Sequence, residues 1–498
     1  MTGSISTRSA LNSVVLGACD ILRGPINQDE FKEYVTPLLF FKRLSDVYDD
    51  ETADALEESG GDADFAALPE NHSFVIPEGL GWSHLRNATK DVGRAIVESM
   101  SGVERANPDT LSGLFSSFDD ASWTDKAKLS DARLKDLIEH FSKVRLGNRD
   151  YSADVMGDAY ELLIKKFADD SKKNAAEFYT PREIVALMVR MLDPRDGESV
   201  YDPACGTGGM LIEAVRHMHD RRLAYGRVFG QENNLSTSAI ARMNLFLHGA
   251  SDFRIAQGDT LRHPQFLEGD ALRRFDCVLA NPPFALKDWP QDEWPSDPYG
   301  RNAWGSPTGK QGSNWAWLEH MYASMDPRHG RCAVIMPQGV LFRGGKEARI
   351  RRRMLETHSV DAVVTLAGGV FFSTNVSACI VLLDNGKPEE RKYEVCLVDG
   401  TGIFTSARAQ NYISKENADE LYGLWRGRRD VTERCRVVTL GDIADRGWTL
   451  QPSTYIEHEL PPVTPPEETY RRFGELLART KRDEAGLRRL LREGGYLG

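Results

Sequence analysis

The chain is predicted to be an α/β protein, with a parallel, doubly wound sheet in its middle, an all-helical region before it and a charged helix after it. Three observations predict this. Apolar residues recur every three and four positions through roughly the first 165 residues. From about residue 176, short β-branched runs alternate with helical segments. At 461–468 the stretch PPVTPPEE interrupts the chain before a last amphipathic segment. The domain bounds expected are therefore 1–165, 166–458 and 459–498.

In the first region, LNSVVLGACDILRG, EFKEYVTPLLFFKRLSDVYDD and DARLKDLIEHFSKV each carry one apolar helical face. The acidic stretch 51–82, with its Gly-Gly, reads as a surface loop, and 155–170 as a further amphipathic helix. The strands expected next are ESVYDPA, RVFGQE, FRIAQGD, FDCVLANPP, RCAVIMP, VDAVVTL and VSACIVLL. A mixed segment runs to about 458, and 470–495 is a strongly charged helix.

With 498 residues, 41% hydrophobic and 27% charged, the composition is that of a soluble globular protein. The formal charge of −12 argues against coating nucleic acid by bulk electrostatics. Its distribution is uneven: residues 1–150 carry 16 basic and 26 acidic side chains, a net of −10, and the remainder a net of −2. That acidic third reads as a solvated surface or as a face for a basic partner. Seven scattered cysteines without a C-x-x-C suggest a reducing compartment, and MTGSISTRSA lacks the apolar run of a signal peptide, so a cytoplasmic location is expected. Ala362 to Leu383 holds no charge over a membrane-spanning length, but Gly368-Gly369 and Ser373-Thr374-Asn375 divide it into two buried strands. No membrane span is expected.

Four motifs carry chemistry. In VYDPACGTGGM a strand ends at Asp202 and a glycine turn leads into a helix; Gly206, Gly208 and Gly209 permit close approach of backbone to a ligand. It is neither G-x-G-x-x-G nor a phosphate loop, and Asp202 suits a cationic or amino group; a purely structural turn is the alternative. Glu232 ends the next strand, where a carboxylate can accept from both ribose hydroxyls of an adenosine, unless it is only a solvated terminus. Asp259 fits an adenine amino contact by the same logic. In ANPPF, Pro282 and Pro283 remove two backbone donors, so that the Asn281 oxygen and the Pro282 carbonyl can accept from one exocyclic amino group while Phe284 offers a stacking face. In AEFYTPRE, Thr180, Pro181, Arg182 and Glu183 form a predicted capping box with proline as the first helical residue. Glu177, Phe178 and Tyr179 precede it, where they could cover a cofactor.

DPACGTGGM followed by NPPF resembles the amino-group methyltransferases that use S-adenosylmethionine, and EFYTPRE ahead of both resembles the motif order of γ-type DNA adenine-N6 methyltransferases. The chain is similar, over roughly residues 10–458, to the methylation (M) subunit of type I restriction–modification systems. GRCAVIMPQGVLFRGGKEARIRRRMLE, LAGGVFFSTNVSACIVLL and GDIADRGWTLQPSTYIE extend the likeness. The resemblance implies a Rossmann-like methyltransferase sheet with S-adenosylmethionine as cofactor. It places Glu177 to Arg182, Asp202, Gly206, Thr207, Gly208, Gly209 and Glu232 around that cofactor and Asp259 near its adenine. Asn281, Pro282, Pro283 and Phe284 would hold a flipped adenine. No metal is implied.

Phosphate contacts are expected from Arg343, Lys346, Arg349, Arg351, Arg352 and Arg353, a run of net +5 with Glu347; a solvated helix face is the alternative. No sequence-reading module appears. The resemblance supplies one from outside, a specificity (S) subunit flanked by two M subunits, with a restriction (R) subunit as a further partner. The 470–495 helix reads as an arm docking on the S subunit or as a solvated terminal helix. The competing readings are a stand-alone methyltransferase acting on adenine, cytosine N4, RNA or a glutamine amide, and a non-enzymatic cofactor-binding subunit.

Overall fold

The computed structural model describes residues 8–118, 121–151, 155–156, 180–220, 224, 226–250, 252–371, 376–407, 410–457 and 466–496. The helices Arg8–Leu22, Phe31–Glu58, Val92–Ala106 and Asp131–Phe141 build the amino-terminal unit. Their apolar faces converge on a core containing Val15, Leu38, Phe41, Ile96 and Phe141. The Phe31–Glu58 helix reaches eight residues into the stretch expected as loop. It also buries charge. Arg43 donates to the Leu146 carbonyl and to Asn148 Oδ1 (2.6 Å), and Asp46 accepts from the Leu146 N–H (2.6 Å). These pairs are what allow charged side chains to stand in a core, and they hold the 145–151 turn against the helix. Of the helix expected over 155–170, only 155–156 are described.

The strands are β1 Val200–Asp202, β2 Val228–Glu232, β3 Phe253–Gln257, β4 Leu267–Glu268, β5 Ala271–Leu272, β6 Cys277–Ala280, β7 Arg331–Pro337, β8 Val360–Leu366, β9 Ala378–Asp384, β10 Glu394–Gly400 and β11 Cys435–Thr439. Nine of them form one sheet in the order β11-β10-β8-β9-β7-β6-β1-β2-β3, while β4 and β5 form a separate ribbon. Every expected strand is present. The sheet is nevertheless mixed rather than parallel: β9 runs antiparallel to β7 and β8, and β11 antiparallel to β10. The physical reason is connection length. Residues 367–377 between β8 and β9 are too few for the crossover helix that a parallel return needs. The strands β10 and β11 lie in the segment left unassigned from sequence.

β8 is buried throughout and β9 almost so, because each faces core on both sides. Val364 and Ile380 belong to one core, Val363 and Val381 to the other. Among the described residues no helix is long and apolar enough to cross a membrane. The chain leaves β1 towards β2 and β3 on one side and returns to β6 on the other. That reversal opens a crevice at the carboxyl ends of β1 and β6. The helix Pro466–Glu493 has no buried residue.

Candidate active site

β1 delivers Asp202 to the crevice, and the turn that follows depends on two glycines with positive φ, Gly206 (53°) and Gly208 (81°). At the end of β2 the Glu232 carboxylate ties this turn down. The Gly206 N–H donates to Oε2 (3.0 Å) and the Asn234 N–H to Oε1 (2.8 Å). Beyond β3, Asp259 Oδ1 accepts from the N–H groups of Leu261 (3.0 Å) and Arg262 (3.2 Å). Thr260 Oγ1 donates to the Pro203 carbonyl (2.6 Å), which joins the β1 and β3 ends.

β6 ends at Ala280, and Asn281 follows with its Nδ2 donating to Thr180 Oγ1 (3.0 Å). The expected capping box is therefore corrected. The helix begins at Arg182, Pro181 is its extended N-cap, and no side chain caps it. With the helix starting one residue later, the Thr180 hydroxyl serves Asn281 instead. The exit of the NPPF segment is also held. Ala285 adopts φ 52°, its N–H donating to Asn314 Oδ1 (3.0 Å), and the Leu286 N–H donates to Ser313 Oγ (2.8 Å). Ser313 and Asn314, both buried, were missed from sequence; they stand in the largely buried Gly309–Ala323 helix, just before its apolar Trp315-Ala316-Trp317-Leu318 run.

A cavity of about 630 Å³ lies among these ends. Of the residues expected at the cofactor, Asp202, Gly206, Thr207, Gly209, Glu232 and Asp259 line it. Thr180 and Arg182, also expected there, and Asn281 and Pro283 line it too. Pro181, Gly208, Pro282 and Phe284 do not line it. Pro282 is buried, and Phe284 packs half-buried against the core that contains Leu279. Glu177, Phe178 and Tyr179 lie outside the described residues. Leu235, exposed, and Asn244, buried, are cavity residues that no motif announced.

Burial pushes the Asp202 carboxyl up to about 8, opposed by the Ala204 N–H and reinforced by Glu232. Burial also raises Glu232, against the N–H groups of Asn234 and Gly206. Two buried carboxyls, a glycine cradle and this volume fit S-adenosylmethionine, which carries an ammonium, a sulfonium and a ribose diol. A pH dependence follows. A cationic ligand stabilises the Asp202 carboxylate, so binding from the protonated form releases a proton. Cofactor affinity should rise with pH towards about 8, by up to about tenfold per pH unit, and stop rising above it, where the ligand's own α-ammonium loses its proton. Calorimetric titration between about pH 6 and 9 checks this; a flat profile refutes it.

The basic run forms the helix Lys346–Glu356 and the turn before it. Arg349, Arg352 and Arg353 are exposed, as is Lys346, and Arg343 is half-buried with its guanidinium on Gln311 Oε1 (2.6 Å). Arg351 overturns the expectation of a phosphate contact. It is 1% exposed and donates to the carbonyls of Trp448 (2.6 Å), Val340 (3.0 Å) and Arg343 (3.0 Å). It lies on the inner face with Ile350 and Met354, where it satisfies carbonyls that burial would otherwise leave unpaired.

Acidic residues at successive strand ends, a glycine turn and a proline-fixed asparagine around one cavity are the site of an S-adenosylmethionine-dependent methyltransferase. The family model described as N-6 DNA methylase matches residues 151–460, and that of the HsdM N-terminal domain matches 11–141. The chain belongs to the N-6 DNA methylase family, in the branch of the type I restriction enzyme methylase subunits. It is 30% identical to the HindI methylase subunit of Haemophilus influenzae over 375 residues, 73% of this chain and 78% of that one. The match to the MjaVII methylase subunit of Methanocaldococcus jannaschii, 31% identical, covers 65% of this chain and 56% of that relative. The solved methyltransferase subunit of a type I restriction–modification system from Streptococcus thermophilus superposes with a TM-score of 0.78 at 25% identity, covering 91% of this chain and all of that one.

Proposed function

We propose that this protein transfers the methyl group of S-adenosylmethionine to the N6 amino group of an adenine in DNA, as the modification subunit of a type I restriction–modification complex. The observation that carries the reading is the hydrogen bond between Asn281 and Thr180, both of which line the cavity. With its amide nitrogen held by Thr180, Asn281 presents its oxygen as an acceptor. The Pro282 carbonyl, next along the chain, is the proposed second acceptor for the amino group, although Pro282 itself is not among the residues lining the cavity. Adenine N6 is a weak nucleophile because its lone pair is delocalised into the ring. Two acceptors that favour tetrahedral nitrogen localise the pair and orient it. S-adenosylmethionine, when bound, supplies a methyl group on an electrophilic sulfonium. A paired base cannot reach such a site, so the adenine must be flipped out of the duplex.

Arg343, Lys346, Arg349, Arg352 and Arg353 form the proposed phosphate-contacting face. The proposed partners are DNA, an S subunit, a second M subunit and an R subunit, in the cytoplasm, where the seven buried, free cysteines would stay reduced. The test is transfer of labelled methyl from S-adenosylmethionine to duplex DNA by the protein with its S subunit, followed by nucleoside analysis. Label in N6-methyladenine is expected; label in cytosine, or none, sinks the reading. Reversal of Arg349, Arg352 and Arg353 to Glu should weaken DNA binding and flatten its salt dependence, and unchanged DNA affinity removes that face from the proposal.

A further inference from the structure

The helix Leu235–Leu247 stands between two cores. Ile240, Met243 and Leu247 belong to the core of the helical domain, while Ala241 and Leu245 belong to that of the sheet. On the first side Phe246 meets the rings of Phe40 (6.2 Å) and Phe74 (5.5 Å). Arg242 donates from the same side to the carbonyls of Thr110 (2.8 Å) and Ser112 (2.6 Å). On the second side Asn244, 1% exposed, donates its Nδ2–H to the Thr207 carbonyl (3.0 Å), inside the glycine turn, and forms part of the cavity wall. One turn of helix earlier, Ala241 closes on Gly208, where a Cβ would stand 3.5 Å from the Ala241 Cβ.

Asn244 also keeps Oδ1 buried without a hydrogen-bond partner among the described residues. An unpaired buried acceptor costs stability, and an apolar residue would avoid that cost. What the amide does in return is hold Thr207. The contacts on the two faces are therefore mechanically joined: the helical domain grips one side of a helix whose other side sets the glycine turn.

We infer that Asn244 is a positioning residue for the cofactor, and that through the Leu235–Leu247 helix the amino-terminal domain takes part in cofactor binding. The inference rests on reading the cavity as the S-adenosylmethionine site. With Thr207 released, the turn between Gly206 and Gly208 loses its only described side-chain anchor from this helix, and its N–H groups no longer meet a ligand in one fixed arrangement. The loss should fall on binding rather than on the chemical step, because Asn281 and Thr180 are untouched.

The test is calorimetric titration of the full chain with S-adenosylhomocysteine, with thermal melting as the control for folding. Wild-type binding is the first arm; no binding there overturns the reading of the cavity and the inference with it. Asn244→Ala should raise Kd at least about tenfold, and raise KM for S-adenosylmethionine while kcat at saturating cofactor stays within about twofold. Arg242→Met lies outside the cavity and on the other face, yet it should also raise Kd, by roughly threefold or more. An unchanged Kd for Asn244→Ala, or a fall in kcat at constant KM, overturns the positioning role. An unchanged Kd for Arg242→Met overturns the part given to the helical domain; if Asn244→Ala does not fold, Asn244→Leu, of similar volume, is read against the same outcomes.

Discussion

Replacing Asn281 by alanine is expected to lower the rate of methyl transfer to DNA by about a thousandfold or more and to leave cofactor affinity nearly unchanged. The size follows from what is lost. Alanine removes the acceptor that would draw the adenine amino group out of conjugation, and only one acceptor, the Pro282 carbonyl, remains. Removal of a single preorganised hydrogen-bonding group costs a factor of about 100 to 1000 in comparable sites, and the same side chain is also proposed to position the base. Cofactor binding is spared because Asp202, Glu232 and Asp259 stand on other strand ends. Single-turnover transfer of labelled methyl gives the rate, and titration with S-adenosylhomocysteine gives the affinity. Transfer within tenfold of wild type would remove Asn281 from the chemistry. Thr180→Val should show a smaller loss of the same kind, since the amide then turns without its hydroxyl partner.

The second large effect belongs to Glu232. Glu232→Ala is expected to weaken cofactor binding by about a hundredfold, which is roughly 3 kcal/mol. Two contributions add. The acceptor proposed for the ribose diol disappears, and the N–H groups of Gly206 and Asn234 lose their common partner. Without that partner the glycine turn is no longer tied to the end of β2. Glu232→Gln keeps one acceptor oxygen and should recover part of the loss, so the pair separates the polar contact from simple loss of volume. A Kd for Glu232→Ala within threefold of wild type would show that the ribose is held elsewhere.

The motifs that proved readable share one property. Asp202, Glu232, Asp259 and Asn281 each end a short apolar run, and the sheet brings the ends of parallel neighbours to one edge. That their ends share one edge follows from parallel strand direction, which a βα alternation already implies, whereas their order in the sheet does not. The glycine turn is readable for a local reason, since Gly206 and Gly208 adopt a backbone conformation that other residues resist. The opposite holds for Thr180. Its hydroxyl could cap the helix next to it or reach Asn281 a hundred residues away, and local spacing favoured the wrong partner. Arg351 failed in the same way: a run of arginines says nothing about which one the helix turns inward, and the carbonyls it meets come from residues 340, 343 and 448.

Periodicity thus made legible the central strands and the acids that stand at their ends. These depend on residues close in sequence or on the alternation of elements. The antiparallel insertion of β9, the pairing of β10 with β11, the partner of Asn281 and the double-sided Leu235–Leu247 helix were decided only when distant segments packed. A hydrogen bond or a buried face chooses its partner by position in space, and position in space is not a property of any short stretch of chain.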